Sequence, residues 1–402
     1  MRPWLAIVGI GEDGIAGLAP VAHTLIETAE VLVGGERHLG MIPDGSAERI
    51  VWERPLALTI EAIAARRGHR VAVLASGDPM WYGIGVTLNR HFARGEMTIV
   101  PQPSAFSLAA ARLGWPLVDC STITLHGRPL DTLRLHLAPS RRVLALSENG
   151  GTPREVAELL TGLGWGPSRL TVLAHLGGPR EAVLEAEAQE WGERRVPDLN
   201  TIAIDCRPGR GARALSRLAG LPDDAFEHDG QLTKREVRAA TLAALAPLPG
   251  ETLWDTGAGC GSIAIEWLRA GEGRAAVAIE RDPGRAAMIA RNAASLGVPN
   301  LRIVPDAAPE ALEGLPRPDA IFIGGGIGAP GLLTAGWASL PLGGRLVANV
   351  VTAEGEAQLL AWRARHGGVL TRISVSRAEP AGSHHLWRSF APVTQLVAVK
   401  AA

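Results

Sequence analysis

The run Gly257-Ala-Gly259-Cys-Gly261 follows a short apolar stretch that ends in Asp255, and the next apolar stretch, residues 275–280, closes on Glu280. Glycines on alternate positions let a backbone pass close to a ligand, and an acid at the end of the following strand can accept both hydroxyls of a ribose. A dinucleotide would also need a glycine at position 262, where this chain has serine. A nucleoside without pyrophosphate has no such need. The glycine loop, the strand-end acid and an expected antiparallel terminal pair of strands together favour S-adenosylmethionine.

A second run, Gly9-x-Gly11-x-x-Gly14, matches the dinucleotide fingerprint in its letters. It follows the apolar residues 5–8, but the next strand candidate, residues 31–33, ends in Gly34-Gly35 without a carboxylate. NAD is therefore not expected, and the run reads as a strand-to-loop turn where backbone approaches something closely. The candidate acids and bases are His228, Asp229, Glu266, His384 and His385. The pair His384-His385 is expected in a Gly/Pro-bounded loop between the last two strands, where it could cover a flat substrate. Asp255 is expected to brace the glycine loop, and Glu266 to partner an arginine. After the fourth strand of the second half, Gly324-Gly-Gly326 stands where amine-methylating enzymes of nucleic acid carry a proline pair, leaving room for something bulky.

The elements that must position these residues alternate between short apolar runs and helical patterns, which is an α/β signature. A length of 402 residues predicts two or three domains. Hydrophobic content of 47% with 20% charged residues describes a well-cored chain, and a net charge of −1 lacks the footprint of a nucleic-acid binder. The three cysteines are far apart, so neither zinc nor a disulfide is expected. Met1-Arg-Pro-Trp leads straight into a strand, and no apolar run reaches membrane-spanning length; a cytoplasmic protein is expected. Residues 206–230, rich in Arg, Gly, Pro and Asp, read as a linker between domains at 1–205 and 231–402. A weaker boundary near Pro101–Pro103 splits the first into lobes of about 1–103 and 104–205, the second opening with a helix at 104–113. Thr233 with Glu236 reads as a capping box for a helix to about Ala246. Asp282-Pro283 reads as an N-cap with proline in the first turn. Residues 371–378 and 395–400 read as the last two strands.

The segments QLTKREVRA, LWDTGAGCGSIAIEW, AIERDP and VPDAAPEAL resemble the C-terminal half of the precorrin-6Y C5,15-methyltransferase (decarboxylating) family. VGIGEDGIAGL, VGGERHL, LASGDPMWYGIG, PSAFSLAAARLGWP and LHGRP resemble its N-terminal half, a tetrapyrrole methylase domain. The resemblance implies a two-lobed tetrapyrrole methylase fold followed by a Rossmann-like class I methyltransferase. It also implies two S-adenosylmethionine sites and a tetrapyrrole substrate, methylated at C5 and C15 and decarboxylated at the ring C acetate to give precorrin-8 in cobalamin synthesis. No metal, nucleic acid or membrane is implied, and a homo-oligomer, a tetramer through the C-terminal domain, would fit. Carried over by motif, the cofactor contacts are Ser76, Gly77, Asp78, Trp81, Phe106 and Ser107 in the first half. In the second they are Thr233, Gly257, Ala258, Gly259, Cys260, Gly261, Glu280 and Ala307. Three motifs depart from the family pattern: Glu12-Asp13 replace Pro-Gly in the first loop, Ser76 replaces glycine, and Ala174-His175 replace a Glu-Arg pair. Open alternatives are a cobalt-bearing substrate, another flat polycarboxylate, and a non-catalytic tetrapyrrole carrier that senses S-adenosylmethionine.

Overall fold

The computed structural model describes residues 3–401; Met1, Arg2 and Ala402, ends of the expected domains, lie outside the described residues. The chain forms two units, one of residues 1–130 and 138–213, the other of residues 131–137 and 214–402.

In the first unit, five strands form a parallel sheet in the order Glu48–Val51, Val31–Gly34, Val71–Ser76, Leu5–Ile10, Met97–Val100. The inner strands read as unbroken apolar runs because both faces are covered. Ser104 caps the helix Ala105–Leu113 by accepting from the Ser107 amide. A second sheet follows in the order Cys120–Thr124, Arg142–Leu146, Asn200–Asp205, Arg169–Ala174, Ala182–Glu187. Only its first pair is parallel.

The second unit carries a seven-stranded sheet in the order Arg302–Val304, Ala275–Ile279, Thr252–Thr256, Ala320–Ile323, Arg345–Val350, Val393–Val399, Val369–Ile373. The first five strands are parallel, and the last two pair antiparallel, as expected. The strand order reverses about Thr252–Thr256, so a crevice opens at the carboxyl ends of that strand and Ala320–Ile323.

Three expectations about this unit are corrected. Residues 214–230 are not a free linker. Leu221 and Phe226 are buried in the core of the unit, and the Gly220 and Leu221 amides donate to the buried Glu266 carboxylate at 2.6 and 3.0 Å. Thr233 is not a helix cap: the helix Arg235–Leu245 begins after Lys234 without a side-chain cap. The expected partner in that box, Glu236, is instead held by Arg377 at 2.7 Å. The expected strand at 371–378 is two strands, because the chain leaves the sheet after Ile373 and starts a separate ribbon, Ser376–Ala381 with His384–Ser389. His384 and His385 therefore lie on a strand and not in a loop, and every residue of that strand is exposed.

Candidate active site

Each half holds its glycine run at the carboxyl end of a parallel strand. In the first unit the turn after Leu5–Ile10 meets the turn after Val71–Ser76. The Gly77 amide donates to the Ile10 carbonyl at 3.1 Å, and the Gly77 carbonyl accepts from the Gln102 amide at 3.1 Å. A Cβ on Gly9 would overlap the Gly77 carbonyl and stand 2.7 Å from the Gln102 amide. The close approach read from the sequence is thus made by the chain to itself.

Beside this latch lies a polar cluster. Glu12, whose side chain is 8% exposed, accepts from Arg37 and pairs with His175 Nδ1 at 2.9 Å, with Arg180 3.7 Å away. Burial alone would raise the Glu12 carboxyl. The His175 hydrogen bond and the Arg37 charge outweigh it, and the group is lowered below the ordinary glutamate value. Arg37 also donates to Ser76 Oγ at 3.0 Å, and His38 Nε2 lies 3.0 Å from the same hydroxyl. Burial and the neighbouring Arg37 charge hold His38 down at about 4, so it is neutral near pH 7. The three departures from the family pattern, Glu12, Ser76 and His175, therefore form one connected network. Sequence reading treated them separately and missed Arg37 and His38, although both stand in a segment that carried the resemblance.

The other carried-over residues of this half gather nearby. Asp78 folds back to accept from the Met80 amide at 2.8 Å, and Ser107 sits 3.0 Å from Ser104 Oγ. Phe106 is buried in the core of the second sheet, with its ring centroid 5.5 Å from that of the partly exposed Trp81. Its side chain backs Trp81 and does not face solvent.

In the second unit a cavity of about 780 Å³ opens at the reversal of strand order. Of the residues carried over to the cofactor in this half, Thr233, Gly257, Ala258, Gly259, Cys260, Glu280 and Ala307 line it. Gly261 does not. Its Cβ would stand 2.8 Å from the Ile289 side chain, so this glycine, at φ +80°, allows helix Ser262–Arg269 to pack against helix Pro283–Ser295. Gly259, at φ +61°, has only the Gln231 carbonyl near its Cβ direction, at 3.7 Å. Gly257 lies back to back with Gly325, where a Cβ would come within 2.8 Å of the Gly325 Cα. Glu280 is fixed by the Gly259 amide at 2.8 Å and the Asp282 amide at 3.1 Å. Each carboxylate oxygen keeps a lone pair for a hydroxyl donor.

Asp255 lies beneath this loop, fully buried. Its Oδ2 accepts from the Ala264 amide at 3.0 Å, and its Oδ1 has no hydrogen-bond partner. Burial pushes the carboxyl up to about 7, with the Ala264 bond opposing and the Glu280 charge adding to the rise. Apolar side chains also line the cavity, among them Ile327, Leu332, Val351, Ile373 and Val393, and so do Phe390 and Lys234. Lys234 and Phe390 were not singled out in the sequence; only the helical QLTKREVRA segment pointed near them.

The remaining acid–base candidates are placed elsewhere. Glu266 pairs with Arg238 at 2.6 Å in the interior. Asp229 pairs with Arg285 at 2.8 Å, and His228 Nδ1 accepts from the Gly230 amide. His384 and His385 do not line the cavity of their own chain. Among the described residues no cluster of three or more metal-ligating side chains is found, and no helix is long and apolar enough to cross a membrane.

Residues 5–191 match the model of the Tetrapyrrole (Corrin/Porphyrin) Methylases, and residues 224–400 match that of the Precorrin methyltransferase domain. Over 398 residues the chain is 52% identical to precorrin-6Y C(5,15)-methyltransferase (decarboxylating) of a Sinorhizobium species, covering 98% of this chain and 96% of that one. The enzyme of the same name from Mycobacterium tuberculosis is 42% identical over 97% of this chain and 98% of its own. The chain belongs to this family. The crystal structure of the C-terminal domain of precorrin-6Y C5,15-methyltransferase from Rhodobacter capsulatus is also similar. It is 45% identical, covers 46% of this chain and all of that one, and has a TM-score of 0.44. Membership in the precorrin-6Y methyltransferase family makes the protein a methyltransferase and implies S-adenosylmethionine as the methyl donor. The second-half residues fit that donor: a glycine cradle open towards the cavity and a fixed strand-end carboxylate.

Proposed function

We propose that the chain methylates precorrin-6B at C5 and C15 and removes the ring C acetate carboxyl, giving precorrin-8X in cobalamin biosynthesis. The observation that carries this reading is the near full-length similarity to enzymes of that name, which spans both domain types at once. Two S-adenosylmethionine molecules are used, one per half. C15 and ring C are neighbours on the macrocycle, so C15 methylation and decarboxylation are assigned to the second half and C5 methylation to the first.

S-adenosylmethionine supplies an already activated methyl group, so the protein's task is mainly to hold and align. In the second half Glu280 receives the ribose hydroxyls and the Gly257–Gly259 backbone lies along the nucleoside. The cavity volume falls in the upper part of the range of about 300–1,000 Å³ common for ligand pockets. That leaves room for the edge of a second reactant. Alignment of two reactants can lower a barrier by about 7–11 kcal/mol. In the first half Ser76, Gly77, Asp78 and Trp81 are assigned to the cofactor, and the Glu12–Arg37–His38 cluster adjoins them.

We further propose a homo-oligomer built through the second unit. Its ribbon displays Leu386 at 64% and Trp387 at 77% exposure, apolar surface that a second copy would cover. A cytoplasmic location agrees with three free, dispersed cysteines.

The test is full-chain turnover with precorrin-6B and excess S-adenosylmethionine. The product is expected to gain two methyls and lose one carbon dioxide, and calorimetry is expected to count two cofactor sites per chain. One site, or methylation without loss of carbon dioxide, would overturn the corresponding part of this assignment.

A further inference from the structure

The proposed substrate carries several carboxylates, and only one leaves. Nothing in the cofactor-binding residues explains how the second half tells them apart. Decarboxylation breaks the bond between the acetate methylene and its carboxyl carbon. The electron pair passes into the conjugated macrocycle, carbon dioxide departs, and the methylene carbon takes a proton from water to become a methyl. Negative charge leaves the carboxylate as this happens. A cation bound to the departing group would stabilise the reactant more than the transition state and slow the step. An apolar surround does the reverse. The carboxylate that leaves therefore belongs against the apolar part of the lining, which includes Ile327, Leu332, Val351, Ile373 and Val393, and any cation facing the cavity belongs to a carboxylate that stays.

The cations around this cavity differ in how far they are already neutralised. Arg285 is held by Asp229 at 2.8 Å. Arg377, beside the Phe390 ring, is held by Asp223 at 2.9 Å and Glu236 at 2.7 Å. Arg281 is exposed and follows Glu280 directly, on the cofactor side. Lys234 is half-buried and lines the cavity, and among the described residues no carboxylate pairs with it. Its ammonium sits 5.5 Å from the centroid of Phe390, another lining residue, whose backbone is tied to the Val375 carbonyl by its amide at 3.0 Å. A cation held on an aromatic face keeps its charge available to an anion.

We propose that Lys234 binds a retained carboxylate of the tetrapyrrole and so selects which acetate is presented to the apolar part of the lining. Lys234 is then a specificity-determining residue whose role is binding and register. This rests on the function proposed above.

The test compares the full-length wild type with Lys234→Met, Lys234→Gln and Lys234→Arg, using precorrin-6B and S-adenosylmethionine. For Lys234→Met and Lys234→Gln, KM for the tetrapyrrole is expected to rise about tenfold or more, the size of a lost charged hydrogen bond. Carbon dioxide released per C15 methyl transferred is expected to fall below one, because the macrocycle can now bind in the wrong register. Calorimetric affinity for S-adenosylmethionine is expected to stay within about twofold, which also reports an intact fold, and Lys234→Arg is expected to recover most of the KM loss. Unchanged KM and stoichiometry in Lys234→Met and Lys234→Gln would overturn the proposal. So would a lower kcat at unchanged KM, which would place Lys234 in the chemistry. If the wild type itself transferred no methyl to precorrin-6B, the functional assignment would fail and not this residue's role alone.

Discussion

The two glycine runs are written in nearly the same letters and use glycine for different reasons. At Gly9 the missing side chain makes room for the Gly77 carbonyl and the Gln102 amide of the same chain. At Gly259 it leaves space open towards a cavity, and the nearest obstacle is 3.7 Å away. The first loop is a structural latch beside a site, and the second forms part of the site itself. A glycine motif therefore says that something passes closely. Whether it is backbone or ligand depends on the neighbouring strand.

Breaking each loop in turn separates these roles. Gly9→Ala is expected to produce the largest effect, about 3 kcal/mol or more of lost stability, since backbone must move on two sides. Thermal unfolding of the full chain measures it, and a change below 1 kcal/mol would show that the latch can yield. Gly259→Leu is expected to cost about 1–2 kcal/mol, from a side chain forced into the left-handed region. It is also expected to abolish cofactor binding in the second half while a titration still detects the first site. Loss of both sites together would deny the halves their independence.

The pH response sharpens the contrast. His38 is held at about 4 in the fold against 6.5 unfolded, so the stability it confers is lost as pH falls from 6.5 through 4. Asp255 is raised to about 7 against 3.8, so the protonated form is favoured in the fold. Its contribution is complete below 3.8 and lost as pH rises through 7. Between about pH 4 and 6.5 the two groups tilt stability in opposite directions. Hydrogen exchange resolved by half is expected to show the first unit firming and the second loosening over that window, with Asp255→Asn removing the second slope and His38→Gln the first. Slopes of one sign in both units, unaltered by these substitutions, would contradict it. The smallest effect is expected from His384→Ala with His385→Ala: decarboxylation within about twofold of wild type, because neither ring lines the cavity of its own chain. A tenfold loss in the decarboxylation assay would mean that the ribbon acts on another copy's site.

Local signals were read well where one or two neighbours decide the structure. Asp282 accepts from the Arg285 amide at a proline-first helix, and Ser104 opens its helix, as their spacing requires. The glycine run and the strand-end acid likewise stand at the second cavity. What escaped was set by distant partners. Thr233 and Glu236 have the spacing of a capping box, but Arg377, 141 positions away, takes the glutamate. Residues 206–230 look like a linker because they are rich in Arg, Gly, Pro and Asp; a buried carboxylate on a later helix draws the part around Gly220–Leu221 into the core. Glu12 looked like a simple departure from a motif until His175, 163 residues further on, supplied its partner.

The placement of the final strand has a consequence for how the protein is made. Val393–Val399 lies inside the second sheet, between Arg345–Val350 and Val369–Ile373, although it is the last strand in the chain. During synthesis Arg345–Val350 and Val369–Ile373 must each wait with an unpaired edge until Val393–Val399 has emerged to pair between them. The first unit's own sheets have all their strands made by Asp205, and domains tend to fold in that order. Val393, at the start of that final strand, lines the second-half cavity, so the cavity is completed only after a strand that follows both of its neighbours in sequence has been made.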